Sequence, residues 1–158
     1  IFGLDYGYAN DPTAFIAAAV SPKDKLLYIY DEHYQHRMLN SDIAQMLIQK
    51  GYHKERIRAD SAEPKSVDEM RSYGLRIRGA RKGPGSVEYG EKWLDDLEEI
   101  IIDPKRTPNI AREFEMIDYQ VDQDGNPLPR LEEVNNHTID ATRYALERDM
   151  RQPGISFD

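Results

Sequence analysis

The chain predicts an α/β fold on a mixed central sheet, with a three-stranded antiparallel meander, additional parallel strands, and helices on both faces. Three observations lead there. Residues 2–6, 13–20 and 25–34 read as strands joined only by Asn10-Asp11-Pro12 and by Ser21-Pro22-Lys23-Asp24. Connections that short force antiparallel neighbours. Beyond them, short strand-like runs alternate with helix-length amphipathic stretches, the order expected of strands linked by crossover helices. Finally, three acids, Asp5, Asp60 and Asp140, sit in contexts that carry them to one edge of such a sheet.

The later elements follow in order. Asn40-Ser41 caps a helix with Ile43, Met46 and Leu47 on one stripe, ending at Gly51. A strand at 57–60 leads to a helix that starts near Pro64, a good first-turn residue, and stops at Gly74. Leu75 to Arg78 reads as another short strand before a glycine-rich loop. Ser86 is the expected cap of a helix bearing Tyr89, Trp93, Leu94 and Leu97. Ile100-Ile101-Ile102 is a buried strand or the end of that helix, and periodicity does not decide. Thr107-Pro108 opens a helix with Ile110, Phe114 and Ile117 inward. Residues 118–131 form a hairpin turning at Asp124-Gly125. A last helix begins near residue 136, and Gln152-Pro153-Gly154 ends it in a tail. This order is the layout of a ribonuclease H-like fold. In it the first strand is central, Asp5 is mid-sheet, Asp60 ends a neighbouring strand, and the last helix crosses over both.

At 158 residues the chain is long enough for one core and short for two. No apolar run approaches the roughly 20 residues of a membrane span, so no membrane partner is expected. Ile1 opens a strand with no signal-peptide pattern before it and no initiator Met, as in a fragment of a longer polypeptide. The absence of cysteine excludes disulfides and thiolate metal sites and fits a reducing cytoplasm. The net charge of −8 argues against a generic nucleic-acid coat. Its distribution matters more, because residues 70–87 hold no acid yet carry Arg71, Arg76, Arg78, Arg81 and Lys82. That stretch is either a solvated basic face or, with Gly79, Gly83, Pro84 and Gly85 interspersed, a flexible loop that holds a phosphate backbone.

Gathering Asp5, Asp60 and Asp140 is costly without cations, because like charges repel. Hard oxygen donors suit Mg²⁺ or Mn²⁺, and two-metal phosphodiester cleavage is the chemistry that needs such a set. An acid in an apolar strand with no basic residue nearby in sequence, as at Asp5, points to a ligand. Asp60 fits a ligand or a cap of the Pro64 helix. Asp140 fits a ligand or a solvated helix face, although Ala141, Tyr144 and Ala145 make its surroundings semi-apolar. His137 lies one helical turn before Asp140 on the same face, as a ligand, a proton handler or a plain surface histidine. Asp31, Glu32 and His33 read as strand-end residues, with an outer role open to one of them.

Three segments taken together, Gly-Leu-Asp-Tyr-Gly-Tyr-Ala-Asn-Asp-Pro-Thr-Ala, Ala-Asp-Ser-Ala-Glu-Pro-Lys-Ser and Asn-His-Thr-Ile-Asp-Ala-Thr-Arg-Tyr-Ala, resemble the C-terminal nuclease domain of the large terminase subunit of tailed bacteriophages. The resemblance runs from Ile1 to about Asp149. It implies a single nuclease domain over 1–158 that cuts concatemeric viral double-stranded DNA with low sequence preference. It implies two Mg²⁺ or Mn²⁺ ions on Asp5, Asp60 and Asp140, with His137 facing them. Arg76, Arg78, Arg81 and Lys82 would hold DNA phosphates. The family's ATPase motor is absent, since no Gly-x-x-x-x-Gly-Lys-Ser/Thr loop occurs here. The motor, the small terminase subunit and the portal protein are the implied partners, and the infected host's cytoplasm the implied location. Rival readings are another ribonuclease H-like nuclease of resolvase type, half of an actin-like phosphotransferase, and a non-catalytic cation-binding assembly module.

Overall fold

The protein is described by a computed structural model covering residues 1–150; the expected tail at 152–154 lies outside the described residues. Its sheet has six strands in the order β5-β4-β1-β2-β3-β6. β1 (Phe2–Asp5), β2 (Thr13–Ser21) and β3 (Leu26–Gln35) form the antiparallel meander. β4 (Ile57–Ala59) lies parallel to β1, and β5 (Ile77–Gly79) lies parallel to β4. β6 (Glu99–Ile102) pairs in parallel with β3. The three isoleucines are thus a strand, but a half-exposed edge strand and not a buried one.

Five helices cover the two faces. α1 (Asn40–Gln49) and α2 (Pro64–Ser72) bury Ile43, Leu47, Val67 and Met70 against Leu4, Phe15 and Ile57. On the opposite face α3 (Ser86–Asp95), α4 (Pro108–Met116) and α5 (His137–Ala145) close over Ile16, Leu27 and Ile29 with Leu94, Ile110 and Ile139. A separate hairpin of β7 (Tyr119–Val121) and β8 (Pro127–Leu131) turns through Gly125. The Glu91 carboxylate, on α3, fixes it by accepting the Leu131 N–H at 3.0 Å.

Three helix starts differ from the sequence reading. α1 is preceded by Leu39, whose N–H is accepted by the Asp42 carboxylate at 2.8 Å, so Asn40 and Ser41 are already helical. Gly85 precedes α3 with φ +75, a conformation that glycine adopts without a Cβ penalty. Ser86 is the first helical residue instead, and its hydroxyl oxygen accepts the Gly83 N–H. Asp60 does not cap α2; its carboxylate accepts the Ala62 N–H at 2.9 Å in the turn before the helix.

Two buried glutamates set the positions of the last helices. Glu32 of β3 accepts the Asn109 N–H at 2.7 Å, capping the first turn of α4 from outside. Glu113 of α4 accepts the Thr138 N–H at 2.9 Å, the Ile139 N–H at 3.2 Å and the Thr138 hydroxyl, capping α5 in the same way. A carboxylate at a helix N-terminus satisfies donors that have no partner within the helix and complements the dipole. Glu32 is thus more than a strand-end residue.

Glu113 is 1% exposed, so its loss leaves these donors buried and unpaired. Glu113→Ala should cost about 2–4 kcal/mol in denaturant unfolding. Glu113→Gln, which keeps an acceptor oxygen, should cost less. A Glu113→Ala chain as stable as the parent would show that the start of α5 does not depend on this carboxylate.

Candidate active site

Side chains alternate along β1, so Phe2 and Leu4 join the α1/α2 core while Gly3 and Asp5 face α5. The parallel register sets Leu4 against Ala59, and the Asp60 N–H donates to the Leu4 carbonyl at 3.1 Å. Asp5 and Asp60 therefore end neighbouring strands at the same carboxyl edge of the sheet, where the chain direction of the sheet switches. Ligand sites of open α/β sheets form at such switch points. α5 reaches this edge because Gly3 has no side chain. A Cβ there would lie 1.8 Å from the Ala141 carbonyl oxygen, so the helix rests directly on the strand. Asp140 immediately precedes that contact, and His137 opens the helix.

The resulting cleft, about 430 Å³, is lined by Asp5, Asp60, His137 and Asp140 and rimmed by Arg81 and Lys82. Arg76 and Arg78 are not part of it. Arg76 immediately precedes the edge strand β5 and Arg78 lies on it, and both line a separate groove. Strand geometry, invisible in a list of basic residues, divides the stretch in two.

Asp5 is 7% exposed, and its carboxyl is pushed up to about 6. Burial is the main cause; the contact with His137 opposes it, and the charges of Asp140 and Asp60 add to it. His137 Nδ1 is 3.4 Å from Asp5, and its Nε2 is 3.4 Å from Asp11. Its imidazole is held above its ordinary value, first by the Asp5 contact and then by the nearby charges of Asp5, Asp11 and Glu113, against burial. Lys82 contacts Asp60, and its ammonium lies 5.5 Å from the centre of the Tyr144 ring. Arg143 donates to Asp140 at 2.9 Å. Asp60 and Asp140 thus each have a protein cation beside them, and Asp5 has the His137 ring.

The chemistry of this donor set fits a hard divalent ion, namely carboxylates gathered at one sheet edge around an aspartate lifted chiefly by burial and further by its acidic neighbours. Among the described residues, no three His, Asp or Glu side chains converge on one point as a ready cage. Asp60 and Asp140 would turn from Lys82 and Arg143 toward the ion.

Four residues of the cleft were not singled out from sequence. Asp11 looks like an ordinary Asn-Asp-Pro turn residue until the loop folds back on His137. Arg143 and Glu147 follow Asp140 at three and seven residues, so helical spacing alone places them on its face. Glu147 accepts the Arg81 N–H at 2.8 Å and pairs with Arg58 at 3.2 Å, anchoring the basic loop to the end of α5. Arg130 enters from the hairpin, and nothing local in its sequence marks it.

The sign of the Asp5 effect is testable. Asp5 binds its proton more tightly in the folded than in the unfolded chain. The stability it contributes is therefore complete below its ordinary value of 3.8 and is lost as pH rises through about 6. At about 1.4 kcal/mol per pH unit, that interval corresponds to an upper bound of roughly 3 kcal/mol. In chelator, Asp5→Asn should be more stable than the parent at pH 7.5 and equal to it near pH 3.5. Equal stability at both pH values would mean that burial and the neighbouring acids do not raise the Asp5 carboxyl.

Comparison with known proteins fits this geometry. The family described as the terminase RNAseH-like domain matches residues 5–148. The large terminase subunit of Bacillus phage SPP1 is 53% identical over 156 residues, covering 98% of this chain and 37% of that protein. The PBSX phage terminase large subunit of Bacillus subtilis strain 168 is 37% identical over 145 residues, covering 92% of this chain and 33% of that one. The chain thus spans about a third of the length of these relatives. The crystal structure of the SPP1 large terminase nuclease domain with bound Mn superposes with a TM-score of 0.89 at 53% identity, covering 94% of this chain and 85% of that one. By sequence and by fold, this chain belongs to the terminase ribonuclease H-like domain family.

Proposed function

We propose that the chain is a divalent-metal-dependent endonuclease that cuts concatemeric viral double-stranded DNA during genome packaging. The observation that carries this reading is the meeting of Asp5, Asp60 and Asp140 in one cleft beside Arg81 and Lys82. The bound Mn in the SPP1 nuclease domain supports it. In a full terminase the domain would work beside an ATPase motor, with the small subunit and portal protein as partners, in the infected host's cytoplasm.

Asp5, between the other two acids at the sheet edge, would be shared by two Mg²⁺ or Mn²⁺ ions, with Asp60 and Asp140 each holding one side. Such ions supply an activated water and stabilise the leaving oxygen of the scissile phosphodiester. The chain's own residues do the rest. Burial of Asp5 strengthens its electrostatic contacts by excluding water. His137, held between Asp5 and Asp11, is placed to carry a proton at the cleft wall. Lys82, which contacts Asp60, would be free to hold a phosphate once that carboxylate held an ion, and Arg81 would hold the adjoining backbone. Contacts of this kind position DNA without reading its sequence, which accounts for low sequence preference.

Plasmid nicking in Mn²⁺ against a chelator control tests the reading. Asp5→Asn, Asp60→Asn and Asp140→Asn should each abolish cleavage in chains that remain folded. His137→Ala should retain a residue of activity, reduced by roughly ten- to a thousandfold, the range for losing an acid–base helper. Full activity in excess chelator, or wild-type rates in the folded aspartate variants, would overturn the two-metal assignment.

A further inference from the structure

Arg76 and Arg78, expected from the sequence to hold DNA phosphates, lie outside the cleft in a separate groove. Along the outer edge of β5 runs a groove of about 420 Å³ lined by Arg56, Arg58, Arg71, Arg76 and Arg78; its remaining lining is apolar, with no carboxylate. Five arginines in one groove are unexpected in a chain of net charge −8. They come from the lead-in to β4, from α2 and from β5, so the fold gathers them from separate segments.

Bringing them together is unfavourable. Arg58 and Arg78 are direct neighbours in the parallel register of β4 and β5, and adjacent like charges oppose pairing. Glu147 offsets Arg58. Among the described residues, no carboxylate lies within ion-pair distance of Arg56, Arg71, Arg76 or Arg78. Two of the guanidinium groups are instead fixed by main-chain oxygens. Arg71 Nε donates to the Ile77 carbonyl at 2.8 Å and Arg76 Nη1 to the Lys54 carbonyl at 3.3 Å, and both side chains are exposed. Planar donor forks held in this way suit phosphate oxygens.

The groove also has a direction. β5 runs along it and continues without a break into Ala80, Arg81 and Lys82 at the cleft. Arg78 and Arg81 are three residues apart, a reach of at most about 10 Å. A DNA duplex advances 3.4 Å per base pair, so that reach spans about three base pairs.

We propose that the arginine groove on the β5 edge is a second phosphodiester-backbone site, which holds the duplex flanking the segment in the cleft. The proposal rests on the reading of the cleft as a DNA-cutting site. It adds that the protein grips DNA beyond the point of cutting and that this grip carries part of the affinity.

Arg76→Gln/Arg78→Gln tests it, since both side chains are exposed and the packing residues of β5 are untouched. Binding is measured by fluorescence anisotropy over a range of salt concentrations, with Ca²⁺ replacing Mn²⁺. The probes are a duplex of about 30 base pairs and a dinucleotide, whose single phosphodiester is too short to extend from the cleft to the groove. On the long duplex the double variant should bind more weakly, and its log–log salt slope should be shallower by about two, one for each lost contact. On the dinucleotide, variant and parent should bind alike. An unchanged affinity and slope on the long duplex would overturn the proposal, as would equal losses on both probes. A parent chain that shows the predicted length dependence but no metal-dependent cutting would retain the groove and remove the nuclease reading.

Discussion

The contact between Gly3 and the Ala141 carbonyl is the constraint on which the rest depends. Only a strand residue without a side chain lets a helix backbone settle onto the sheet this closely. Because the helix lies there, Ala141 and Ile139 seal the core on one side. On the other, His137 and Asp140 reach the sheet edge where β1 and β4 end. Packing and site assembly are thus one event, and any residue but glycine at position 3 would disturb both.

That assembly carries an electrostatic cost, which the protein offsets with its own cations. Lys82 stands against Asp60, Arg143 against Asp140, and His137 between Asp5 and Asp11. The buried Asp5 still keeps a carboxyl pushed up to about 6. Burial is the main cause and the charges of Asp140 and Asp60 add to it, so a divalent ion beside these carboxylates would favour the ionised form of Asp5. On the proposed reading, the Lys82–Asp60 contact would link metal binding to DNA, because Asp60 held by an ion would leave that ammonium free for phosphate.

Much of this was legible in the sequence. Apolar strand runs with short polar turns gave the meander, and strand-ending acids gave Asp5 and Asp60. Helical spacing put His137 and Asp140 on one face. What could not be read depends on contacts between distant segments. Glu32 and Glu113 look like ordinary charged residues, yet each caps a helix from another element. Ile100 to Ile102 could not be assigned locally, because their state is set by pairing with β3. Arg76 and Arg78 seemed continuous with Arg81 and Lys82 because proximity in sequence hides that a strand separates them from the cleft.

The central claim is that the three aspartates at the carboxyl edge of the sheet form a divalent-metal centre. Anomalous diffraction from a crystal of this chain soaked in Mn²⁺ tests it most directly. Manganese peaks enclosed by the carboxylates of Asp5, Asp60 and Asp140, with Lys82 withdrawn from Asp60, are the predicted result. Manganese found only elsewhere, or a cleft in which Lys82 still contacts Asp60 at saturating Mn²⁺, would contradict the account.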